Sequence, residues 1–239
     1  MITFSQLGAL GRRGNQMFQA AAVIALAKRY NNDYSFPICE LMGSTNIPAN
    51  KFANDIKLCS SYQEPFFHFQ ELPNIRDLNI INSYLQSYKY FEDFKDEICY
   101  LMRSNLFYTE YNNHTSIHIR RTDYVNLKDF HSNLDMNYYN NAMNLIQSDK
   151  YVILSDDINW CKQYFKGNEF TFIEGNSPQI DQAIMYSCKN NIIANSSFSW
   201  WGAYLNTNLD KKIVAPSNWF GPKLQHNIKD LIPQNWNVI

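Results

Sequence analysis

Seven arginines occur in the chain, and four of them form two adjacent pairs, Arg12-Arg13 and Arg120-Arg121. A guanidinium stays charged and offers parallel N–H donors in a planar fork, which matches the oxygens of a phosphate. The second pair lies in His118-Ile119-Arg120-Arg121-Thr122-Asp123. On extended backbone His118 and Arg120 face one way, and Ile117, Ile119 and Arg121 the other. One arginine is expected to face a ligand while the other makes a structural ion pair, with Asp123 near; the plainer alternative is two solvated arginines. Asn195-Ser196-Ser197-Phe198-Ser199 is a second anion-suited feature, because hydroxyls and unpaired N–H groups at a helix start cradle phosphate oxygens. Alone it reads equally as an ordinary serine N-cap. With the arginine pair at the same sheet edge, it suggests a diphosphate held without a metal.

Two further motifs carry polar chemistry. Ser155-Asp156-Asp157 resembles an acidic metal site, but adjacent carboxylates at a strand end diverge and no further acid or histidine has ligand spacing. These aspartates are expected instead to accept hydrogen bonds from a sugar hydroxyl, a base edge or nearby backbone. His114 and His118 lack a third ligand, so His114 reads as a histidine with its hydrogen bonds satisfied. Gly8, Gly11 and Gly14 shape a strand-to-helix turn that would let backbone at Gly14, Asn15 and Gln16 approach a ligand. The spacing is neither GxGxxG nor a P-loop, so no nicotinamide or flavin site is indicated.

The elements that must position these residues alternate. Ile2 and Phe4 suit a short strand, followed by an Ala-rich helix over 15–30 with Met17, Ala20, Ala21, Ile24 and Ala27 on one stripe. Strands over 33–36 and 79–85 and a helix over 92–103 follow. Then come strands over 116–119, 151–154, 169–173, 191–194 and 212–215, and helices over 138–146, 178–188 and 198–205. Alternating strands and helices imply a parallel sheet with crossovers, and the short apolar strands imply cover on both faces. The polar motifs fall just past strand ends, Glu174-Gly175 included, where open α/β sheets bind ligands.

Composition bounds the class. The 239 residues are 45% hydrophobic and 15% aromatic, which excludes a disordered chain. A net charge of −1 argues against a nucleic-acid binder that relies on bulk positive charge. Cysteines at 39, 59, 99, 161 and 188 form no CxxC, so reduced thiols are expected rather than disulfides or zinc. No signal peptide or transmembrane run is visible, so the expectation is a cytoplasmic protein with at most peripheral membrane contact. The glycosylation patterns at Asn113 and Asn195 are then chance matches.

Taken in order, the stretches 11–19, Ser83-Tyr84-Leu85-Gln86-Ser87, 118–124, 153–161 and 193–203, with the closing 215–220, resemble the α-1,2-fucosyltransferase family. The resemblance runs over nearly the whole chain. It implies a metal-independent, inverting glycosyltransferase that takes L-fucose from GDP-L-fucose to the 2-hydroxyl of a galactosyl-type acceptor glycan. It also implies an α/β, GT-B-like architecture of two Rossmann-like lobes: 1–108 on the acceptor side and 109–239 holding the donor. By resemblance Arg120 contacts the donor diphosphate, with Arg121, Ser155, Asp156, Asp157, Asn195, Ser196, Ser197, Phe198 and Ser199 also in the donor lobe. Gly14, Asn15 and Gln16 would close the cleft from the other lobe. Arg12 and Arg13 depart from the apolar residues usual in that turn.

An inverting step needs the acceptor hydroxyl deprotonated, by a base or by bulk solvent; His118 and Asp123 are candidates for the base on position alone. Two other readings stand beside this one. One is a fucosyltransferase of another linkage or of a protein acceptor. The other is a non-catalytic nucleotide-sugar or glycan-binding module. Tyr84, Tyr88, Tyr90, Trp200 and Trp201 could stack on sugars, with core packing expected for most.

Overall fold

The computed structural model describes residues 1–54 and 60–239, so Cys59 lies outside the described residues. The chain forms two compact units, Met1–Asn105 with His226–Pro233, and Leu106–Gln225 with Gln234–Ile239. Both are α/β with parallel sheets.

In the first unit the strands are β1 (Ile2–Phe4), β2 (Tyr34–Pro37), β3 (Phe52–Ala53), β4 (Ser60–Tyr62) and β5 (Leu78–Ile80). They lie in the order β3-β2-β1-β5-β4, with every pairing parallel. Helix α1 (Arg13–Arg29) links β1 to β2, and α2 (Lys95–Met102) packs on α1. The single apolar stripe expected on α1 is corrected: residues 16–27 are buried on every side. The run Ala20-Ala21-Ala22 and the neighbouring alanines project too little to hold the surrounding chain away, and a helix apolar all round belongs in a core.

The strand expected over 79–85 ends at Ile80, because Asn82 and Leu85 take left-handed backbone at φ 46° and 53°. The Ser83 hydroxyl donates to the Ile81 carbonyl (2.7 Å) and tightens that exit. The helix expected over 92–103 is a 3₁₀ turn, Glu92–Phe94, running into α2.

The second unit holds β6 (Thr115–Ile119), α3 (Thr122–Asn126), α4 (Met136–Ile146), β7 (Tyr151–Ser155), α5 (Ile158–Tyr164) and β8 (Phe170–Phe172). After these come α6 (Pro178–Ser187), β9 (Asn190–Ile192), α7 (Ser197–Tyr204), β10 (Ile213–Ala215) and β11 (Asn237–Val238). The order β11-β10-β9-β6-β7-β8 is all parallel. Numbered within this unit it is the doubly wound order 3-2-1-4-5-6, which reverses direction between β6 and β9.

The sheet is covered on both faces, as its apolar strands demand. Along β7, Ile153 joins Ile117, Ile119, Tyr139 and Val214 on one side, while Val152 and Leu154 meet Ile184, Met185 and Cys188 on the other. Each such burial contributes about 1.5–3 kcal/mol. Trp200 and Trp201 are fully buried, as are Tyr88 and Tyr90 for all but a few per cent of their surface; Tyr84 alone of the five is exposed.

Candidate functional site

The ends of β6 and β9 flank the point where strand order reverses, and the chain leaving each carries one of the two anion-suited motifs. β6 delivers His118 and Ile119 as its last residues, then Arg120 and Arg121, before α3 starts at Thr122. Both arginines make ion pairs. Arg120 pairs with two carboxylates, Asp123 (Nη2–Oδ1 2.5 Å) and Asp156 (Nη1–Oδ2 2.9 Å). Arg121 pairs with Asp157 (3.3 Å), and its guanidinium lies 4.1 Å from the Trp160 ring centroid. Neither is a solvated arginine, since their side chains are 16% and 22% exposed.

Asp156 also accepts from the Arg121 backbone N–H (2.9 Å) and the Thr122 hydroxyl (2.5 Å). Asp157 turns the other way and caps α5 through the Trp160 N–H (3.2 Å), while the Ser155 hydroxyl accepts from the Asp157 N–H (2.9 Å). The carboxylates diverge and accept from nearby backbone, as their positions suggested. The corner thus gathers two guanidinium groups and three carboxylates.

The motif after β9 splits by role. Asn195 is buried: its side-chain amide nitrogen donates to the Ser132 and Trp219 carbonyls (2.9 and 2.8 Å), and its backbone carbonyl accepts from the Tyr124 hydroxyl (3.3 Å). An asparagine so committed is a clamp between three loops. The ordinary-cap reading of the serines is corrected, because Ser196 stands at the N-cap of α7 with no side-chain capping bond. By contrast α4, α5 and α6 are capped by Asp135, Asp157 and Ser177. Ser199 is buried and its hydroxyl donates to the Ala194 and Ser196 carbonyls (3.4 and 3.3 Å). Ser197 and Phe198 are half-buried at the helix start.

His118 lies beneath this corner, with its ring 5.5 Å from that of Phe198 and its Nδ1 buried without a hydrogen-bond partner. Burial pushes its pKa down to about 4, so the ring is neutral at pH 7. His114 is corrected as well: its Nδ1 is buried with no hydrogen-bond partner, and the ring meets Tyr111 edge-on.

Sequence reasoning missed His131. Its imidazole stacks on the Tyr124 ring with centroids 4.1 Å apart and planes 6° from parallel, and Arg120 lies 5.4 Å from that same ring centroid. Only the aromatic spacing after Arg120 hinted at such a layer. Beside it, residues 132–135, 138, 141, 216–218 and 220–222, with Lys128 and Ile239, line a cavity of about 500 Å³.

Gly14, Asn15 and Gln16 belong to the first unit, in the opening turn of α1. Asn15 accepts from the Gln86 amide (2.8 Å), which joins the turn after β1 to the 83–87 segment after β5. Gln16 donates to the Gly11 carbonyl (3.1 Å), leaving its Oε1 buried without a partner. Arg13 is pinned to the Ser44 hydroxyl and carbonyl (2.7 and 3.1 Å), which gives that departure from the apolar pattern a structural use.

The sequence pattern of Glycosyl transferase family 11 matches residues 59–239, which include every second-unit residue described above. The chain belongs to that family. Within it, the chain is 42% identical over 119 residues to the O-antigen biosynthesis glycosyltransferase WbnK of Escherichia coli, covering 45% of this chain and 39% of that protein. It is 39% identical over 138 residues to an alpha-1,2-colitosyltransferase of the same organism, covering 52% and 47%. A Caenorhabditis elegans protein provisionally named galactoside 2-alpha-L-fucosyltransferase svh-11 is 24% identical over 84% of this chain and 68% of its own. The chain spans less than half the length of the first two relatives it matches. Among the described residues, no helix is long and apolar enough to cross a membrane.

Proposed function

We propose that this family 11 chain transfers L-fucose from GDP-L-fucose, with inversion, to the 2-hydroxyl of a galactosyl-type acceptor glycan. The observation that carries the reading is the meeting of the Arg120 corner with the uncapped start of α7 at the switch point between β6 and β9. In this proposal the two units are the two lobes of a GT-B enzyme. The second unit takes the donor.

The chemistry follows from the donors present. Breaking the sugar–phosphate bond leaves negative charge on the β-phosphate oxygen, which fixed N–H donors stabilise without reorganising. Two of the five N–H donors on Arg120 are committed to Asp123 and Asp156, so the remaining three can meet phosphate while the two carboxylates hold the fork in place. The α7 N-terminus adds its partial positive charge from the other strand. Arg121, Ser155, Asp156 and Asp157 then bracket the nucleoside, the carboxylates accepting from its hydroxyl or base N–H groups. With charge met this way the step needs no divalent cation. Among the described residues, cysteines 39, 161 and 188 form no disulfide, which suits the reducing, cytoplasmic setting of this proposal.

The relative named for colitose favours a second reading in which the donor sugar is colitose. The test is GDP release and product formation with both GDP-sugars against a galactoside panel, with and without a chelator. Fucose transfer that survives the chelator supports the proposal. Transfer of colitose alone moves it to the second reading, and abolition by the chelator overturns the metal-free step.

A further inference from the structure

We propose that His131 is the base that takes the proton from the acceptor hydroxyl, a role that rests on the transferase reading above. Direct displacement at the anomeric carbon is assisted by such a base. As the acceptor oxygen bonds to carbon, the carbon–oxygen bond to the β-phosphate breaks, its electron pair leaves with GDP, and the acceptor proton passes to an imidazole nitrogen. Neither of the two earlier candidates suits the task. His118 lies buried against Phe198, and Asp123 is bound to the Arg120 guanidinium at 2.5 Å.

His131 meets the geometric demands. It is half-buried rather than enclosed, and among the described residues no hydrogen bond engages its ring nitrogens. Its position is fixed from several sides. His131 bridges to Phe220, the Gly221 N–H donates to the Phe130 carbonyl (2.9 Å), and the Ser132 hydroxyl donates to the Phe220 carbonyl (2.9 Å). The Asn195 amide holds the Ser132 carbonyl from the α7 side (2.9 Å). The ring then lies flat on Tyr124, the same ring that Arg120 overlies. His131 and Arg120 therefore share one neighbour, Tyr124, which places the imidazole beside the corner proposed to hold the β-phosphate.

The charges facing His131 are Asp123, which favours its protonated form, and Arg120, which opposes it; burial has the larger effect and lowers its pKa below the ordinary 6.5. On its own loop, Asp129 is paired with Lys223 (2.8 Å), and Lys128 lines the adjoining cavity. The ring is therefore unprotonated and able to accept a proton at neutral pH.

The experiment compares wild type, His131→Gln and His131→Ala in transfer from GDP-fucose to a galactoside, with melting temperature and GDP affinity measured on each. The proposal expects kcat to fall on the order of 10²–10³-fold while GDP affinity holds within about threefold. It also expects the acid limb of the wild-type kcat/KM profile to lie below pH 6.5 and to vanish in the glutamine variant. Added imidazole should restore part of the activity of His131→Ala, which a merely structural histidine would not allow. Variants that fold and keep kcat within about tenfold of wild type overturn the assignment, as does an unchanged acid limb. A wild-type protein that binds GDP but transfers no sugar overturns the transferase reading itself, and His131 as its base with it.

Discussion

Arg120 serves two carboxylates at once, so its removal has separable consequences. Arg120→Ala is expected to lower kcat on the order of 10²–10³-fold, the usual loss for one oxyanion-type donor, and steady-state kinetics with saturating GDP-fucose measures it. Arg120→Lys keeps charge but loses the fork, so it should recover little. His118 makes a prediction about stability instead. Its folded-state pKa is about 4 against 6.5 when exposed, so between those values the unfolded chain binds more protons. Stability is then fully present above pH 6.5 and falls as pH drops toward 4, by on the order of 2–3 kcal/mol from this ring. Denaturant midpoints for His118→Gln should show a correspondingly flatter acid slope; an unaltered slope removes His118 as its source. The sequence showed that arginines, aspartates and serines gather at strand ends. It could not show that Asp156 would serve Arg120, because the partners stand 36 positions apart and only the β6–β7 pairing brings them together.

At the scale of elements, strand and helix alternation was readable because it is written in local apolar runs. What local runs do not encode was missed. Helices α3 and α5 are five and seven residues long, too short to show a period. The exit from β5 depends on two left-handed residues that are not glycine. The packing of α6 on α7 is a further case. Gly202 lies in α7 where a Cβ would stand 2.6 Å from the Met185 sulfur and 2.8 Å from its Cβ. The sulfur can swing aside but the Cβ, fixed to the α6 backbone, cannot. Gly202→Ala should therefore destabilise by about 1–3 kcal/mol, although alanine is the better helix former by about 1 kcal/mol. The double variant with Met185→Gly, which removes that Cβ, should cost less than the two single changes summed, and simple additivity in thermal melts would refute the clash.

For the whole molecule, the two-unit organisation contains a turn of the chain that local patterns could not reveal. The stretch His226–Pro233 belongs with the first unit, and the chain then returns to complete the second with β11. Nothing in the composition of 226–233 names its partners; long-range packing selects them. Asp230 is 4% exposed and anchors the stretch three times over. Its carboxylate accepts from the Phe69 N–H (3.2 Å) and pairs with Lys89 (2.6 Å), while its backbone carbonyl accepts from the Ser87 hydroxyl (2.9 Å). Asp230→Ala leaves the Phe69 N–H without its acceptor and should cost about 1–3 kcal/mol, whereas Asp230→Asn keeps an acceptor oxygen and should cost less. Hydrogen exchange localises the damage. Protection should fall in residues 60–90 of the first unit, around β4, β5 and Ser87, while β6 and β7 of the second unit keep theirs. Equal loss in both units would mean that Asp230 supports the chain as a whole rather than the first unit.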